Sequence, residues 1–390
     1  MPVLNSLAAL APEMTEWRRD FHRHPELLFD VHRTAGVVAE KLRAFGCDEV
    51  VEGIGRTGVV GVIRGRSNAS GKVVGLRADM DALPIMEASG AAHASLTPGV
   101  MHACGHDGHT TMLLGAAKHL AETRNFDGTV LVIFQPAEEG GGGGREMVKD
   151  GMMERWGVQE VYGLHNMPGL PVGQFAVRVG PMMAAADHLE IDLEGKGGHA
   201  AKPHDCIDTT LVAAHVMTAV QSLVSRNVDP LKSAVITIAS LHTETHAYNV
   251  IPQTVKMKGT VRTLDESVQE MIETRLPMLV NGIAAGFGAK AEVRYHRNYP
   301  VTVNHAEQTA KAVAAAKEVS GADGVDADTA PLMGAEDFSF MLNARPGAYL
   351  MLGAGEGPMV HHPAYDFNDA ILPIGASWWV RMAESTMPAR

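Results

Sequence analysis

The sequence predicts an α/β protein with a mixed, largely parallel sheet and an inserted ferredoxin-like α+β domain. The chain has 390 residues, which is more than one ordinary hydrophobic core accommodates. Buried apolar strands alternate with helical segments in the N-terminal part and helices return near the C-terminus, as in a sheet covered by helices. The middle of the chain instead alternates apolar and polar residues, a pattern typical of half-exposed antiparallel strands.

The N-terminal part supplies the strands of the larger sheet. The segment KVVGLRADMD (72–81) is nearly continuous in apolar residues, as a strand buried on both faces requires. The segment GHTTMLLGAAKHLAET (108–123) has helical spacing instead. The expected elements are helices at 5–22, 33–45 and 108–123, and strands at 58–65, 72–81, 128–139 and 160–166.

The middle of the chain predicts a second domain. Its expected elements are a strand at 187–200, a helix at 206–226, strands at 234–242 and 254–263, a helix at 267–287 and a strand at 290–300. This β-α-β-β-α-β order is that of a ferredoxin-like unit. Helices at 305–319 and 371–386 then return to the first pattern. We therefore expect one domain at 1–185 plus 300–390 and an inserted domain at 186–299.

Composition restricts the classes of partner. The formal net charge is −12 and no Lys/Arg-rich run occurs, which argues against nucleic acid. No apolar run is long enough to span a membrane. The first 26 residues indicate an amphipathic helix rather than a signal peptide, so we expect a cytoplasmic protein. The three cysteines are few and far apart, which argues against a disulfide framework.

Polar residues cluster where predicted strands end and where the third helix begins. Sites in open α/β sheets form beyond the carboxyl ends of the strands, so we expect these clusters to share one crevice. Cysteine, histidine and carboxylate side chains together suit a transition metal such as Zn²⁺ or Mn²⁺. The clustered residues are Asp79 and Asp81, Cys104 and His106, Glu138 and Glu139, and His165.

Adjacent Glu138 and Glu139 indicate a division of labour. Neighbouring side chains of an extended segment point to opposite sides, so one carboxylate could bind a metal while the other acts as a general base. Alone, each motif has a simpler interpretation: Cys104 as a small buried apolar residue or as a nucleophile, and the glutamates as a solvated surface. The GGGGG run lacks the Lys-Ser/Thr of a phosphate loop.

Taken together, the motifs resemble the M20 metallopeptidase family. They are LRADMDALPI, MHACGHDGHTTMLLGAA, FQPAEEGGGG, GLHNMPGLPVG, GKGGHAAKPH and HHPAYDFND. The resemblance runs from WRRDFHRHPE (17–26) to the C-terminal helix. It favours the amidohydrolase branch, with its hippurate hydrolases, N-acyl-amino-acid hydrolases and indole-acetyl-amino-acid hydrolases.

The resemblance implies two divalent metal ions in each subunit, with Zn²⁺ or Mn²⁺ favoured and Co²⁺ or Ni²⁺ compatible. It assigns the role of general base to Glu138. The last family motif reads His-x-Pro, which selects His361 over His362. Asp81 and Asp107 are expected to orient ligating side chains, and His109 is expected to start the next helix and to have a structural or supporting role. The implied metal ligands are Cys104, His106, Glu139, His165 and His361.

Two segments need separate interpretation. The wider family carries a metal-binding histidine where this sequence has Asp79, and the CGH motif is expected to compensate. The segment MGAEDFSFM (333–341) also fits the family. Its Glu336 and Asp337 are expected either near the metals or as caps of the next helix, with capping preferred for Asp337.

The resemblance also assigns roles in the inserted domain, which is expected to form a homodimer. His199 would reach the active site of the partner subunit and polarise the scissile carbonyl. Asn249 and Arg262 would hold the substrate, with Arg262 binding its carboxylate. The alternative for Arg262 is an ion pair with a carboxylate of its own domain.

The expected function is metal-dependent hydrolysis of the amide bond of small N-acyl amino acids, such as hippurate-like, N-acetyl or indole-acetyl conjugates. The products would be a carboxylic acid and a free amino acid, formed by a metal-activated water with Glu138 as the base. One alternative is a dipeptidase or exopeptidase of the same fold. A non-catalytic metal-dependent binding protein is the other, and the presence of Glu138 argues against it.

Overall fold

The computed structural model describes residues 3–389, which form two compact units. The smaller unit comprises Met183–Thr302 and Pro331–Glu336, and the larger unit comprises the rest. Residues 331–336 were expected in the larger domain. They belong to the smaller unit because the backbone N–H of Ala184 donates to the carbonyl oxygens of Leu332 and Gly334, at 3.0 and 2.9 Å. Residues 1, 2 and 390 of the predicted domains lie outside the described range.

Every predicted helix is present within residues 3–389, one of them divided in two, and three short helices were not predicted. Within residues 3–389, none of the helices is long and apolar enough to cross a membrane. The helices are α1 (Asn5–Arg23), α2 (His32–Ala44), α3 (His106–Thr123), α4 (Gly143–Lys149), α5 (Met152–Arg155), α6 (Thr209–Ala219), α7 (Gln221–Asn227), α8 (Glu266–Gly286), α9 (Ala306–Ser320), α10 (Ser339–Ala344) and α11 (Leu372–Thr386).

The strands include every predicted one and several that were not predicted. They are β1 (Glu49–Ile54), β2 (Gly58–Arg64), β3 (Val73–Asp79), β4 (Thr129–Gln135), β5 (Glu160–Pro168), β6 (Phe175–Ala176), β7 (Gly180–Met183), β8 (Ala185–Glu194), β9 (Gly198–His199), β10 (Ala234–Thr243), β11 (Val250–Ile251), β12 (Thr254–Thr263), β13 (Lys290–Tyr299), β14 (Thr302–Asn304), β15 (Val325–Asp326) and β16 (Gly347–Gly355).

The larger unit is built on a sheet of order β1-β2-β4-β3-β5-β16-β6-β15. Strands β4, β3, β5 and β16 in its middle run parallel, whereas β1, β2 and β6 are antiparallel to a neighbour. This confirms the predicted fold class. The sequence analysis missed β16, although its apolar run AYLMLGA is almost entirely buried. The parallel arrangement brings the ends of β3, β4 and β5 to one edge, where the polar clusters lie.

The smaller unit has the antiparallel sheet order β10-β12-β8-β13, with α6 and α8 against the sheet. Leu189, Ile191 and Leu193 of β8 point into its core, and the residues between them are more exposed. This is the alternation that predicted the inserted domain. The predicted helix at 206–226 is divided into α6 and α7. It begins at Thr209 because the Asp208 carboxylate accepts hydrogen bonds from the next turn.

Candidate metal centre

The five predicted ligands lie together in the larger unit, in overlapping groups. One group is Cys104, His106 and His165, and a second is Cys104, Glu139 and His361. Within each group, one potential ligand atom of every residue lies within 4.8 Å of the others. A third group joins His106 and Glu139 to Glu138. Because Cys104, His106 and Glu139 are shared, the groups form one continuous cluster.

Gly105 separates two of these residues and allows the chain to turn into α3. Its φ is +94°, a left-handed conformation that favours glycine. A Cβ atom at this position would lie 2.3 Å from Asn166 Oδ1 and 2.7 Å from the Tyr365 hydroxyl oxygen. The glycine of CGH is therefore required both by backbone conformation and by close packing.

The orientation of His106 leaves one ring nitrogen available for a metal. Its Nδ1–H donates to the carbonyl oxygen of Asp81 at 2.8 Å. Its Nε2 is buried and has no hydrogen-bond partner among the described residues. Burial opposes protonation, but the carboxylates of Asp79 and Asp81 outweigh it and raise the pKa of His106 to about 10. A divalent cation would replace that proton.

Cys104 and His165 face each other, with Sγ 3.3 Å from Nε2. The His165 Nδ1–H donates to the carbonyl oxygen of Asn166 at 2.6 Å, so Nε2 keeps its lone pair. Burial and the nearby carboxylates of Glu139 and Glu138 raise the pKa of the Cys104 thiol. A bound cation would reverse that effect and favour the thiolate.

Glu138 and Glu139 do not lie in an extended segment, so the expected opposite orientation is wrong. Strand β4 ends at Gln135, Ala137 has φ +54°, and the glutamates occupy a turn. Both carboxylates point to the same cluster with His106. The Asp81 carboxylate fixes this turn because it accepts hydrogen bonds from the backbone N–H groups of Glu138 and Glu139, at 2.9 and 3.1 Å.

His361, rather than His362, faces the cluster. Its Nε2 lies 3.3 Å from Glu139 Oε1, and its φ is +67°. The His361 N–H donates to the Ala103 carbonyl oxygen at 2.7 Å, which holds the segment against the residues before Cys104. The ring of His362 turns back on its own chain, where Nδ1 accepts a hydrogen bond from the N–H of Ala364 at 3.0 Å.

Asp107 does not contact a predicted ligand side chain, contrary to the expectation. Its carboxylate accepts a hydrogen bond from His22 Nδ1–H at 2.8 Å and lies 3.7 Å from Arg18. Both partners come from α1, which the sequence analysis did not connect with the site. The side chain of Asp107 points away from the cluster because it follows His106 on a helix, where consecutive residues face different directions.

Of the two expectations for Asp337, the cap of α10 is not observed. The position near the cluster is observed, since a carboxylate oxygen of Asp337 lies within 4.8 Å of one of Glu138. The Asp337 carboxylate accepts from Arg77 at 3.0 Å, from Gln135 at 2.7 Å and from the Gly144 N–H at 2.8 Å. The sequence analysis missed Arg77, which also donates to Asp79 at 2.8 Å. An arginine inside the otherwise apolar run VVGLRAD was the signal, because a buried guanidinium requires acceptors.

The three predicted residues of the inserted domain lie in the smaller unit. His199 and Asn249 are exposed and adjacent, since the Ala200 N–H donates to the Asn249 carbonyl oxygen at 3.0 Å. Arg262 lies half-buried on β12. Burial lowers the pKa of its guanidinium, and the charge of Asp187, a carboxylate of the same unit, acts in the opposite direction. The alternative of an interaction with a carboxylate of its own domain therefore stays open.

The cluster fits a pair of divalent metal ions. It offers thiol, imidazole and carboxylate donors, the set that suits zinc and related metals. Buried His106 Nε2 has no hydrogen-bond partner in the described part of the chain, and buried Glu139 Oε1 lies 3.3 Å from His361 Nε2. Buried polar atoms are normally paired, so the unpaired His106 Nε2 is explained by a cation that would bind there.

Known proteins resemble this chain over most of its length. The family described as Peptidase family M20/M25/M40 matches residues 75–385. The hippurate hydrolase of Campylobacter jejuni is 40% identical over 383 residues, 98% of this chain and 99% of that one. Thermostable carboxypeptidase 2 of Saccharolobus solfataricus is 41% identical over 362 residues, 90% of each chain.

A solved structure of the same family also resembles this chain. The Bacillus subtilis YXEP protein, described as a dinuclear metal binding peptidase from the M20 family, is 33% identical. The two structures align with a TM-score of 0.84, and the alignment covers 98% of this chain and 100% of that chain. The chain therefore belongs to peptidase family M20/M25/M40, which confirms the resemblance read from its motifs. It is a metal-dependent amidohydrolase.

Proposed function

We propose that this enzyme hydrolyses the amide bond of N-acyl amino acids that carry a free α-carboxylate, with hippurate-like compounds as the first substrates to test. The observation that carries the proposal is the cluster in which Glu138 lies beside the shared ligands His106 and Glu139. The hippurate hydrolase relative, 40% identical, supports this substrate class.

Cys104, His106, Glu139, His165 and His361 would hold the metal pair. When bound, two divalent ions such as Zn²⁺ or Mn²⁺ supply Lewis acidity and lower the pKa of water. His106 and His165 are prepared for this role because each donates its Nδ1–H to a backbone carbonyl and directs Nε2 to the cluster. Such hydrogen bonds fix the tautomer of a ligating histidine.

Glu138 would act as the general base. Its carboxylate is buried and its backbone N–H is held by Asp81, so the side chain has a restricted range of positions. The carboxylate would accept a proton from the attacking water and then deliver it to the nitrogen of the departing amine. Restricting the base in this way favours proton transfer along one path.

The smaller unit would supply groups for the substrate. Arg262 is half-buried, and its guanidinium would bind the carboxylate of the substrate. Asn249 would assist in holding the substrate, and His199 from a second copy of the chain would donate to the carbonyl oxygen as negative charge develops there. These roles rest on the family motifs and on the exposure of Asn249 and His199.

A carboxypeptidase or dipeptidase activity is the second candidate, because the carboxypeptidase relative is 41% identical over 90% of both chains. Both activities cleave an amide whose amine side carries a carboxylate, so the same Arg262 would serve either one. What separates them is the acyl side: a simple acyl group in one case and an aminoacyl residue in the other.

We also propose that the smaller unit forms a homodimer. Strand β10 is an edge of its sheet, and edge strands readily pair with a second chain. This strand exposes Val235 and Leu241, which are 40% and 42% exposed. A second copy covering this edge would bury them. Light scattering of the purified protein tests the association.

The substrate proposal is tested with protein stripped of metal and reloaded with Zn²⁺ or Mn²⁺. Release of free amino acid is measured from N-benzoylglycine, N-acetyl amino acids, indole-acetyl amino acids and dipeptides. We expect metal-dependent release from the N-acyl amino acids. Preferential release from dipeptides would favour the peptidase, and no release from any compound by metal-loaded protein would contradict both candidates.

A further inference from the structure

We propose that His109 is a positioning residue for the metal centre, which aligns the segments carrying His106 and His165 without binding a metal itself. The inference rests on the proposed function, because it assumes the metal pair. His109 is buried on the first turn of α3, where a structural or supporting role was expected without any named contacts.

Both ring nitrogens of His109 are already engaged. Nδ1 lies 2.6 Å from Asp79 Oδ1, and because a carboxylate only accepts, Nδ1–H is the donor. Nε2 lies 2.6 Å from Asn166 Oδ1 and 3.1 Å from the backbone N of Asn166. A metal ion would have to break one of these contacts, in a buried location where the released group would lose its partner.

The Asn166 contact connects His109 to a ligand. Asn166 follows His165 directly, and its carbonyl oxygen accepts the Nδ1–H of the His165 ring. Its side chain also donates to the Tyr365 hydroxyl at 2.7 Å, four residues after His361. A displaced Asn166 would therefore shift the hydrogen bond that sets the tautomer of His165.

The Asp79 contact secures the other side. Asp79 is buried, receives a hydrogen bond from Arg77 at 2.8 Å, and its main-chain carbonyl accepts from Thr110 at 2.8 Å. Its Oδ2 lies 3.8 Å from His106 Nε2. Held by Arg77 and His109, this carboxylate stays beside the His106 ligand atom. His109 thus joins the ends of β3 and β5 to the start of α3.

Three substitutions of His109 test its contacts with Asp79 and Asn166 separately. The amide of His109→Asn can replace Nδ1 toward Asp79, and the longer His109→Gln can replace Nε2 toward Asn166. His109→Leu removes both contacts at similar volume. His119→Gln is the matched control, since His119 lies on the same helix, is half-buried and contacts the Ser6 hydroxyl at 2.9 Å, away from the cluster.

The experiment titrates each metal-free protein with Co²⁺ and follows its visible absorption, including the thiolate-to-Co²⁺ band from Cys104, together with metal content and melting temperature. We expect two Co²⁺ per chain in every protein. His109→Leu should bind about 10- to 100-fold more weakly, with shifted bands, and the Asn and Gln variants should lie between it and wild type. His119→Gln should match wild type.

The inference alone would be overturned if all three His109 variants matched wild type in Co²⁺ affinity and in spectrum. It would also be overturned if a variant lost one Co²⁺ equivalent and kept the other unchanged, because His109 would then be a ligand. Wild-type protein that takes up no Co²⁺ would overturn the proposed function and this inference together. The Asn and Gln variants keep the test decisive if His109→Leu does not fold.

Discussion

His22 Nδ1 lies 2.8 Å from the Oδ2 atom of Asp107, and neither side chain is exposed to solvent. On its other side, His22 Nε2 lies 3.3 Å from Glu87. Burial disfavours the charged ring, but the hydrogen bonds to Asp107 and Glu87 outweigh it and raise the pKa of His22 to about 9. This contact ties α1 to the first turn of α3, next to the predicted ligand His106.

The first prediction concerns stability at alkaline pH. The pKa of His22 is about 9 in the folded chain and about 6.5 for an unperturbed histidine. Its charged form therefore stabilises the fold fully below about pH 6.5, and this contribution is lost as the pH rises through about 9. We expect the melting temperature of metal-free protein to fall between pH 7 and 9.5, and less so for His22→Gln. Equal slopes for both proteins would contradict this.

The second prediction separates the two glutamates. Glu138→Gln should lower kcat by about 10²- to 10⁴-fold, because a neutral amide cannot accept the proton. Its metal content should remain that of wild type. Glu139→Gln should instead weaken metal binding. Both are checked with N-benzoylglycine hydrolysis and metal analysis, and an active Glu138→Gln enzyme would exclude the proposed base.

The third prediction tests whether Cys104 is a nucleophile. Alkylation requires a thiolate, and burial with nearby carboxylates raises the pKa of Cys104. Burial also raises the pKa of Cys47 to about 12. In metal-free protein, iodoacetamide should therefore react first with Cys206, as mapped by mass spectrometry. Activity should return when metal is added. First modification of Cys104, with permanent loss of activity, would favour the thiol mechanism.

The fourth prediction compares two neighbouring histidines. Loss of a residue that only supports a ligand weakens metal binding by about 10- to 100-fold, and loss of a ligand should weaken it more. We therefore expect a larger effect from His361→Ala, whereas His362→Ala should bind metal as wild type does. Competition with a chromogenic chelator measures both affinities. A dominant effect of His362→Ala would reverse the assignment.

The fifth prediction concerns carboxylate recognition. Arg262→Ala should raise KM for an N-acyl amino acid by about 10- to 100-fold, the equivalent of one charged hydrogen bond of about 1.5–3 kcal/mol. The control substrate is the corresponding amino acid amide, which lacks the carboxylate. Its KM should change little. A similar rise for both substrates would indicate that Arg262 has a structural role instead.

Much of the site could be predicted from local sequence. Cys104, His106, Glu138, Glu139 and His165 stand at the ends of buried strands or at the start of a helix, and the parallel sheet brings such positions to one edge. The grouping of these residues needed only residue chemistry and the order of elements, which short segments carry by themselves. The choice of His361 over His362 came instead from the resemblance to the His-x-Pro motif of the family.

Other features depended on contacts that no segment contains. The directions of the Asp107 and Asp337 carboxylates are set by Arg18, His22 and Arg77, which belong to distant parts of the chain. A buried charge takes whichever partner the fold brings within reach, because leaving it unpaired is unfavourable.

The sequence by itself determined the family, the fold class and the residue types for a metal centre, since apolar patterning and motif order encode them. The tertiary structure alone decided how those side chains are held. The left-handed turn at Ala137 turned both glutamates toward one cluster, and the pairing of His109 with Asp79 and Asn166 filled both of its ring nitrogens. Side-chain direction follows from backbone angles and long-range hydrogen bonds, which form only when the whole sheet is assembled.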